Sequence, residues 1–231
     1  MNKIVFLLIA GVLALSSSSH LQAQLFNGSF TTADFTDWQT LGLPTVVTDG
    51  STQADIQSTD QLTNGSASVS ATTIEATLGV TLPQTSGIDP HPGSTFGYFD
   101  PTNGEAIYQT FALGGAGTLS FSYAYSTDDY YPYDSAGYVL DGVYTTLVNP
   151  PVYNGGAISK TGFVNVTLSL NSGTHTLAFV SYNTNDQYGS TSLYVTDITA
   201  TVATPEPSSW ALVIVGGVGL VLFRRYRRSV S

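Results

Sequence analysis

The chain has 231 residues, no cysteine, and six Lys and Arg against sixteen Asp and Glu, a formal charge of −10. That composition excludes a disulfide scaffold, a cysteine-ligated zinc or iron–sulfur centre and a thiol nucleophile. It also excludes nucleic acid as a partner, because phosphate binding needs clustered Lys and Arg.

Positive charge is confined almost wholly to the two ends, at Lys3 and at Arg224, Arg225, Arg227 and Arg228, with Lys160 alone between them. Residues 1–23 carry Lys3, twelve apolar residues from Ile4 to Leu15, and a polar stretch ending at Ala23. A charged start, a short apolar run and a small exit residue predict a signal peptide, cut by signal peptidase after Ala23. Twelve apolar residues are too few for a bilayer-spanning helix, which needs about 20.

Residues 24–203 form one domain's worth of chain, with a single lysine against fifteen acidic residues, a formal −14. Such a surface repels acidic partners and suits neutral glycans or cations. No helical periodicity of useful length appears in it. Thr45 to Val47, Ala67 to Val69 and Thr72 to Leu82 read as strands, and Pro83 to Pro92 as a long loop. Thr118 to Tyr125 alternates, with Leu119, Phe121, Tyr123 and Tyr125 on one face. Phe163 to Leu170 is a further strand, read with Leu168 and Leu170 on one face and Val164 and Val166 on the other. Thr176 to Tyr182 and Ser192 to Val202 complete the set. The segments Gly114 to Gly117 and Asn171 to Gly173 are turns. Short strands at these intervals predict an all-β sandwich or barrel.

Catalytic patterns are absent. His91 and His175 read as surface histidines, since neither accompanies a nucleophile elbow or a second metal ligand. The carboxylates Glu105, Asp100, Asp128, Asp129 and Asp141 are available for glycoside cleavage only if the fold converges them. Asp128, Asp129 and Asp134 crowd one loop, a composition calcium favours, without the spacing of an EF-hand. No catalytic, cofactor-binding or metal-ligating residue is therefore assigned, and no cofactor is expected. The tyrosines Tyr130, Tyr131, Tyr133 and Tyr138, beside Asp128 and Asp129, are candidate glycan contacts, because an aromatic ring offers an apolar face with a polar tip.

Residues 204–231 read Pro205-Glu206-Pro207, an apolar stretch from Trp210 to Phe223, then the arginine cluster. The stretch is a short transmembrane helix over 210–223, with Trp210 at headgroup level and Arg224, Arg225, Arg227 and Arg228 fixing the topology with the body outside. In this order the four features resemble the PEP-CTERM sorting domain. The resemblance implies handling by the membrane protease-transpeptidase exosortase, cleavage near Pro205, Glu206 and Pro207, and transfer to the cell surface or an extracellular matrix. The residues alone support an anchor; cutting follows from the resemblance.

A looser likeness covers most of 25–203. Leu25-Phe26-Asn27-Gly28-Ser29-Phe30 with Asp34 to Trp38, the Ala106 to Phe111 run and the closing Leu193 to Thr199 run resemble jelly-roll, galactose-binding-like domains, whose opening strand the first segment would form. In that family acids follow the opening Phe and precede the last strand's Val, as calcium ligands; Thr31 and Thr196-Asp197 stand there in this chain. The expectation is an all-β, jelly-roll-like sandwich with a cleaved signal helix and one short transmembrane helix. Its expected role is an exported, non-enzymatic surface or matrix protein sorted by exosortase; the alternative is a carbohydrate-binding module for extracellular polysaccharide.

Overall fold

The computed structural model describes residues 25–58, 68–88, 95–127, 134–148, 160–185 and 189–203. The signal peptide with Ala23, His91, Asp128, Asp129, Tyr130, Tyr131 and Tyr133, the Pro205-Glu206-Pro207 motif, the 210–223 stretch and the four arginines lie outside the described residues. Among the described residues no helix is long and apolar enough to cross a membrane.

The strands, in chain order, are β1 (Gln39–Leu41), β2 (Thr45–Asp49), β3 (Ser51–Ser58), β4 (Val69–Ser70), β5 (Thr85–Ile88), β6 (Phe96–Phe99) and β7 (Pro101–Leu113). They continue with β8 (Gly117–Thr127), β9 (Asp134–Leu140), β10 (Val143–Val148), β11 (Val164–Leu170), β12 (Gly173–Thr184) and β13 (Thr191–Val202). One helix, α1 (Ala71–Leu78), follows β4. The first sheet runs β1-β7-β12-β9-β10, with β4 also on β7; the second runs β11-β8-β13-β3-β2, and β5 pairs with β6 as a separate ribbon. Every pairing is antiparallel.

Alternation builds the core. Leu119, Phe121 and Tyr125 of β8 face Ile107 and Phe111 of β7, Leu177 and Phe179 of β12, and Leu193 and Val195 of β13 in one buried cluster. Phe179 has no exposure, and its ring lies 4.9 Å from Phe121 and 6.4 Å from Trp38, edge-on to the first and tilted to the second. The opposite face of β8 spends its Ser and Thr residues on cross-strand hydroxyl pairs, Thr118 with Thr201 and Ser120 with Thr199. The sequence therefore alternates because one face is dry and the other wet.

The first sheet is covered on both faces. Ala106, Ala178, Val180 and Tyr182, on the side away from the sandwich, pack under Ala71 and Ile74 of α1. That helix lies within Thr72 to Leu82, read above as a strand. Threonines favour strands, but the ends decide here: Ser70 Oγ accepts from Thr73 N at 3.3 Å, and Gly79 closes the helix at φ 67°. Ala71, Ile74 and Leu78 then fall on one side at helical spacing and meet the sheet.

Three further expectations change. Val164, Val166, Leu168 and Leu170 share one face, opposite Tyr123, Phe121, Leu119 and Gly117, because period-two alternation puts all even positions together. The loop expected over Pro83 to Pro92 contains β5, and the polar strand β3 had no apolar run to announce it. The opening segment is not a strand. Asn27, Phe30, Ala33 and Asp37 all have positive φ, and the chain turns so that Phe30 is buried against Phe35 and Trp38. Gly28 is required there: a Cβ would sit 1.9 Å from Ile198 O, in a strand interruption where Ile198 N instead bonds Gly28 O at 2.9 Å.

Replacing Phe179 by Ala removes the ring that joins both sheets to the opening segment. The expected loss is about 3–5 kcal/mol of unfolding free energy, read by urea titration.

Candidate functional site

Tyr138, expected as an exposed glycan contact, is a core residue: 8% exposed, with its ring 5.5 Å from Phe121. It shares parity with Ala136 on the face of β9 turned into the sandwich. Asp134 is likewise a strand residue rather than a loop residue, and it is fully buried. Thr31 and Asp197 are exposed at the positions where the resembled family keeps calcium ligands.

Asp128 and Asp129 lie outside the described residues, and Asp100, Glu105 and Asp141 each have separate partners. Asp100 Oδ1 accepts from the Gln84 side chain, Glu75 Oε1 accepts from Leu82 N at 2.8 Å, and Glu105 points between the sheets. Among the described residues no group of three His, Asp or Glu is placed to hold a metal ion. Glu105 serves backbone. β2 begins only at Thr45, opposite Asp55, so Leu43 N and Gln57 N lack a strand partner; Glu105 accepts from them at 3.3 and 3.0 Å. Burial pushes its carboxyl up to about 7, against the two N–H bonds and with a smaller push from Asp55.

A surface with usable chemistry lies on the outer face of the first sheet. Register places Tyr108, Ala178 and Val139 in one row across β7, β12 and β9. The next row holds Thr110 and Thr176, with Asp141 N bonded to Thr176 O at 3.0 Å. The small Ala178 between two larger neighbours leaves the floor low, and Leu78 and Gly79 at the end of α1 wall one side. The result is an open groove of about 410 Å³. Its polar groups include the paired Thr110 and Thr176 hydroxyls, 3.0 Å apart, the Tyr108 phenol and the Asp141 carboxylate. A second hollow of about 330 Å³, beside Gly117 and Leu170, carries no charged side chain.

Asp141 is held firmly. With Gly142 it forms a two-residue hairpin turn between Leu140 and Val143, both turn residues at positive φ. Its Oδ1 accepts from Thr176 N at 2.9 Å, and its Oδ2 lies 2.7 Å from His175 Nδ1. His175 is 8% exposed rather than on the surface, because its parity in β12 is that of Leu177. Its Nε2 meets Asn171 O at 3.0 Å, so both ring nitrogens face atoms that only accept. Burial opposes the charged ring, but the bonds to Asp141 and Asn171, with the Asp141 charge, raise its pKa. His175 therefore has no free lone pair with which to act as a base; it fixes the carboxylate. Each Asp141 oxygen keeps a second lone pair for a hydroxyl donor in the groove. The Asp-Gly dipeptide between apolar residues was the sequence signal for this turn.

Neither a protein-family model nor a curated protein matches the chain. Solved structures do. TmCBM61 in complex with beta-1,4-galactotriose aligns at 10% identity over 78% of this chain and 97% of its own, with a TM-score of 0.40. The K1 cleaved adhesin domain of Lys-gingipain from Porphyromonas gingivalis W83 aligns at 12% identity over 79% and 98%, TM-score 0.38. A family 35 carbohydrate binding module from an environmental isolate aligns at 20% identity over 54% and 92%, TM-score 0.24. At these scores and identities no ligand or role passes from those proteins to this chain.

The raised carboxyl of Glu105 makes stability depend on pH. Its contribution is complete below about 4.5, where the carboxyl is protonated folded or unfolded, and is lost as pH rises through about 7. The raised His175 works in the same direction. The melting temperature should fall between about pH 5 and 8. In Glu105→Gln the loss of unfolding free energy over that window should be smaller by on the order of 3 kcal/mol. An unchanged profile in scanning calorimetry would remove Glu105 as the cause.

Proposed function

We propose that this chain is a non-catalytic carbohydrate-binding protein for neutral extracellular polysaccharide, with a jelly-roll sandwich as its body. The observation that carries the reading is the groove formed by Tyr108, Thr110, Thr176 and Asp141 beside α1. About 410 Å³ falls within the range of small-ligand sites, about 300–1,000 Å³. A tyrosine, two hydroxyls and a fixed carboxylate suit the hydroxyl rows of a sugar ring. The strongly acidic body disfavours uronates and other acidic sugars. The repeated crossing of the chain between sheets from β7 to β13 supports the jelly-roll assignment.

Affinity electrophoresis of the protein through neutral and acidic polysaccharides tests this. Binding should be confined to neutral polymers, and Tyr108→Ala should weaken it roughly 2- to 12-fold, the scale of one aromatic contact. Phe96 and Tyr98, 60% and 73% exposed on the β6 ribbon, and Tyr131 are the comparison positions. If Tyr98→Ala or Tyr131→Ala abolishes binding while Tyr108→Ala leaves it intact, the groove is not the site.

We further propose that the protein is exported through its signal peptide, held briefly by the 210–223 helix and released by exosortase near Pro205-Glu206-Pro207 to the surface or matrix. The order of these features in the sequence supports this. Mass spectrometry of the mature protein should find a C-terminus near Glu206, bare or joined to another group. An intact Ser231 throughout the mature pool would leave a tail-anchored protein instead.

A further inference from the structure

Phe96 and Tyr98 are the most exposed aromatic side chains among the described residues. Alternation along β6 turns both of them outward, while Phe99 is buried and a Cβ at Gly97 would meet its ring at 3.4 Å. The two outer rings stand 5.8 Å apart at 88°, edge to face, so each restrains the other. Two large rings side by side in water mark a contact surface more often than scattered apolar residues do.

The ribbon is held firmly at its base. Thr85 Oγ1 lies 2.7 Å from Thr184 Oγ1, Tyr182 Oη donates to Pro83 O at 3.0 Å, and Asn185 N donates to Asp100 O at 2.8 Å. These bonds tie it to the last residues of β12. Tyr182 shares with Ala178 the outer face of the first sheet, the face that carries the groove. From Ala178 to Thr184 the strand advances about 20 Å. The helix α1 lies along this span. It starts beside Asn103 and Gly104, the partners of β4 at the ribbon end, and its last residues wall the groove.

We propose that the Phe96–Tyr98 ribbon is a second contact for the polysaccharide in the groove, so that the outer face binds a chain of several sugar units. The inference rests on the groove being a glycan site. A sugar ring offers C–H groups to an aromatic face and hydroxyls to a phenol, and Tyr98 presents both. Other occupants fit less well. The formal −14 of residues 24–203 repels anionic lipid and acidic protein. Two four-residue strands cannot supply the roughly 800 Å² per partner that a stable protein interface buries.

The test is titration calorimetry of the full chain in detergent with a neutral galactan, mannan and β-glucan. For each polymer that binds, its hexasaccharide and disaccharide are titrated as well, the disaccharide by competition. Tyr98→Ala should weaken polymer and hexasaccharide roughly 2- to 12-fold, the scale of one aromatic contact. It should leave unchanged the disaccharide, which is too short to reach from groove to ribbon, and the melting temperature. Tyr108→Ala should weaken all three, and the double variant should lose the product of the two factors on the polymer. Unchanged polymer binding in Tyr98→Ala beside a loss in Tyr108→Ala would remove the ribbon and leave the groove standing. A loss in Tyr98→Ala with none in Tyr108→Ala, or no binding of any polymer, would remove the groove and the shared chain together. An equal loss for the disaccharide, or a wild-type dimer that Tyr98→Ala dissociates in sedimentation, would also overturn the proposal.

Discussion

β12 has almost no solvent-facing side from His175 onward, and the molecule is arranged around that burial. Its odd-numbered residues Leu177 and Phe179 fill the space between the sheets, and its even-numbered residues Ala178, Val180 and Tyr182 need a second cover. A strand buried on both faces cannot close a two-layer sandwich by itself, so a third layer is required. The short helix α1 provides it over part of the sheet. The groove lies where the helix ends, above the smallest of those even-numbered residues.

A second constraint is electrostatic. With one lysine in the body, carboxylates cannot rely on ion pairs, and the buried ones find different solutions. Glu105 takes two backbone N–H groups and tends to keep its proton. Asp141 takes a backbone N–H and a histidine whose pKa the bonds at its two ring nitrogens raise. Asp134 takes the hydroxyls of Thr127 and Thr191. A basic residue at any of these places would have offered a simpler pairing, but would also have moved the surface away from its acidic character.

How much of this was legible follows from which residues carry each feature. β8, β12 and β13 stand out because long runs alternate between large apolar and small polar side chains, and that period survives without knowledge of partners. α1 was obscured by its threonines, since its cap residues Ser70 and Gly79 also read as turn punctuation. β3 was obscured because its buried residues Gln53, Ala54, Ile56 and Ser58 include only one large apolar side chain. The site was least legible. Tyr108, Thr110, Thr176 and Asp141 come from three separate segments, and only the register of β7, β12 and β9 makes them neighbours. Tyrosines clustered in sequence drew attention to Tyr138, whose parity in β9 turns it inward.

The last strand also has a mechanical meaning. β13 is not at an edge: it is bonded to β8 on one side and β3 on the other, and its final residues pair with the start of β8 through Val202 opposite Gly117 and Ala203 N on Ala116 O. Tension applied to the chain beyond Ala203 therefore enters along the axis of a central strand. Antiparallel hydrogen bonds run across that axis, so they meet the pull in shear and must give way together rather than open one after another. A body hung from this end is gripped through its interior.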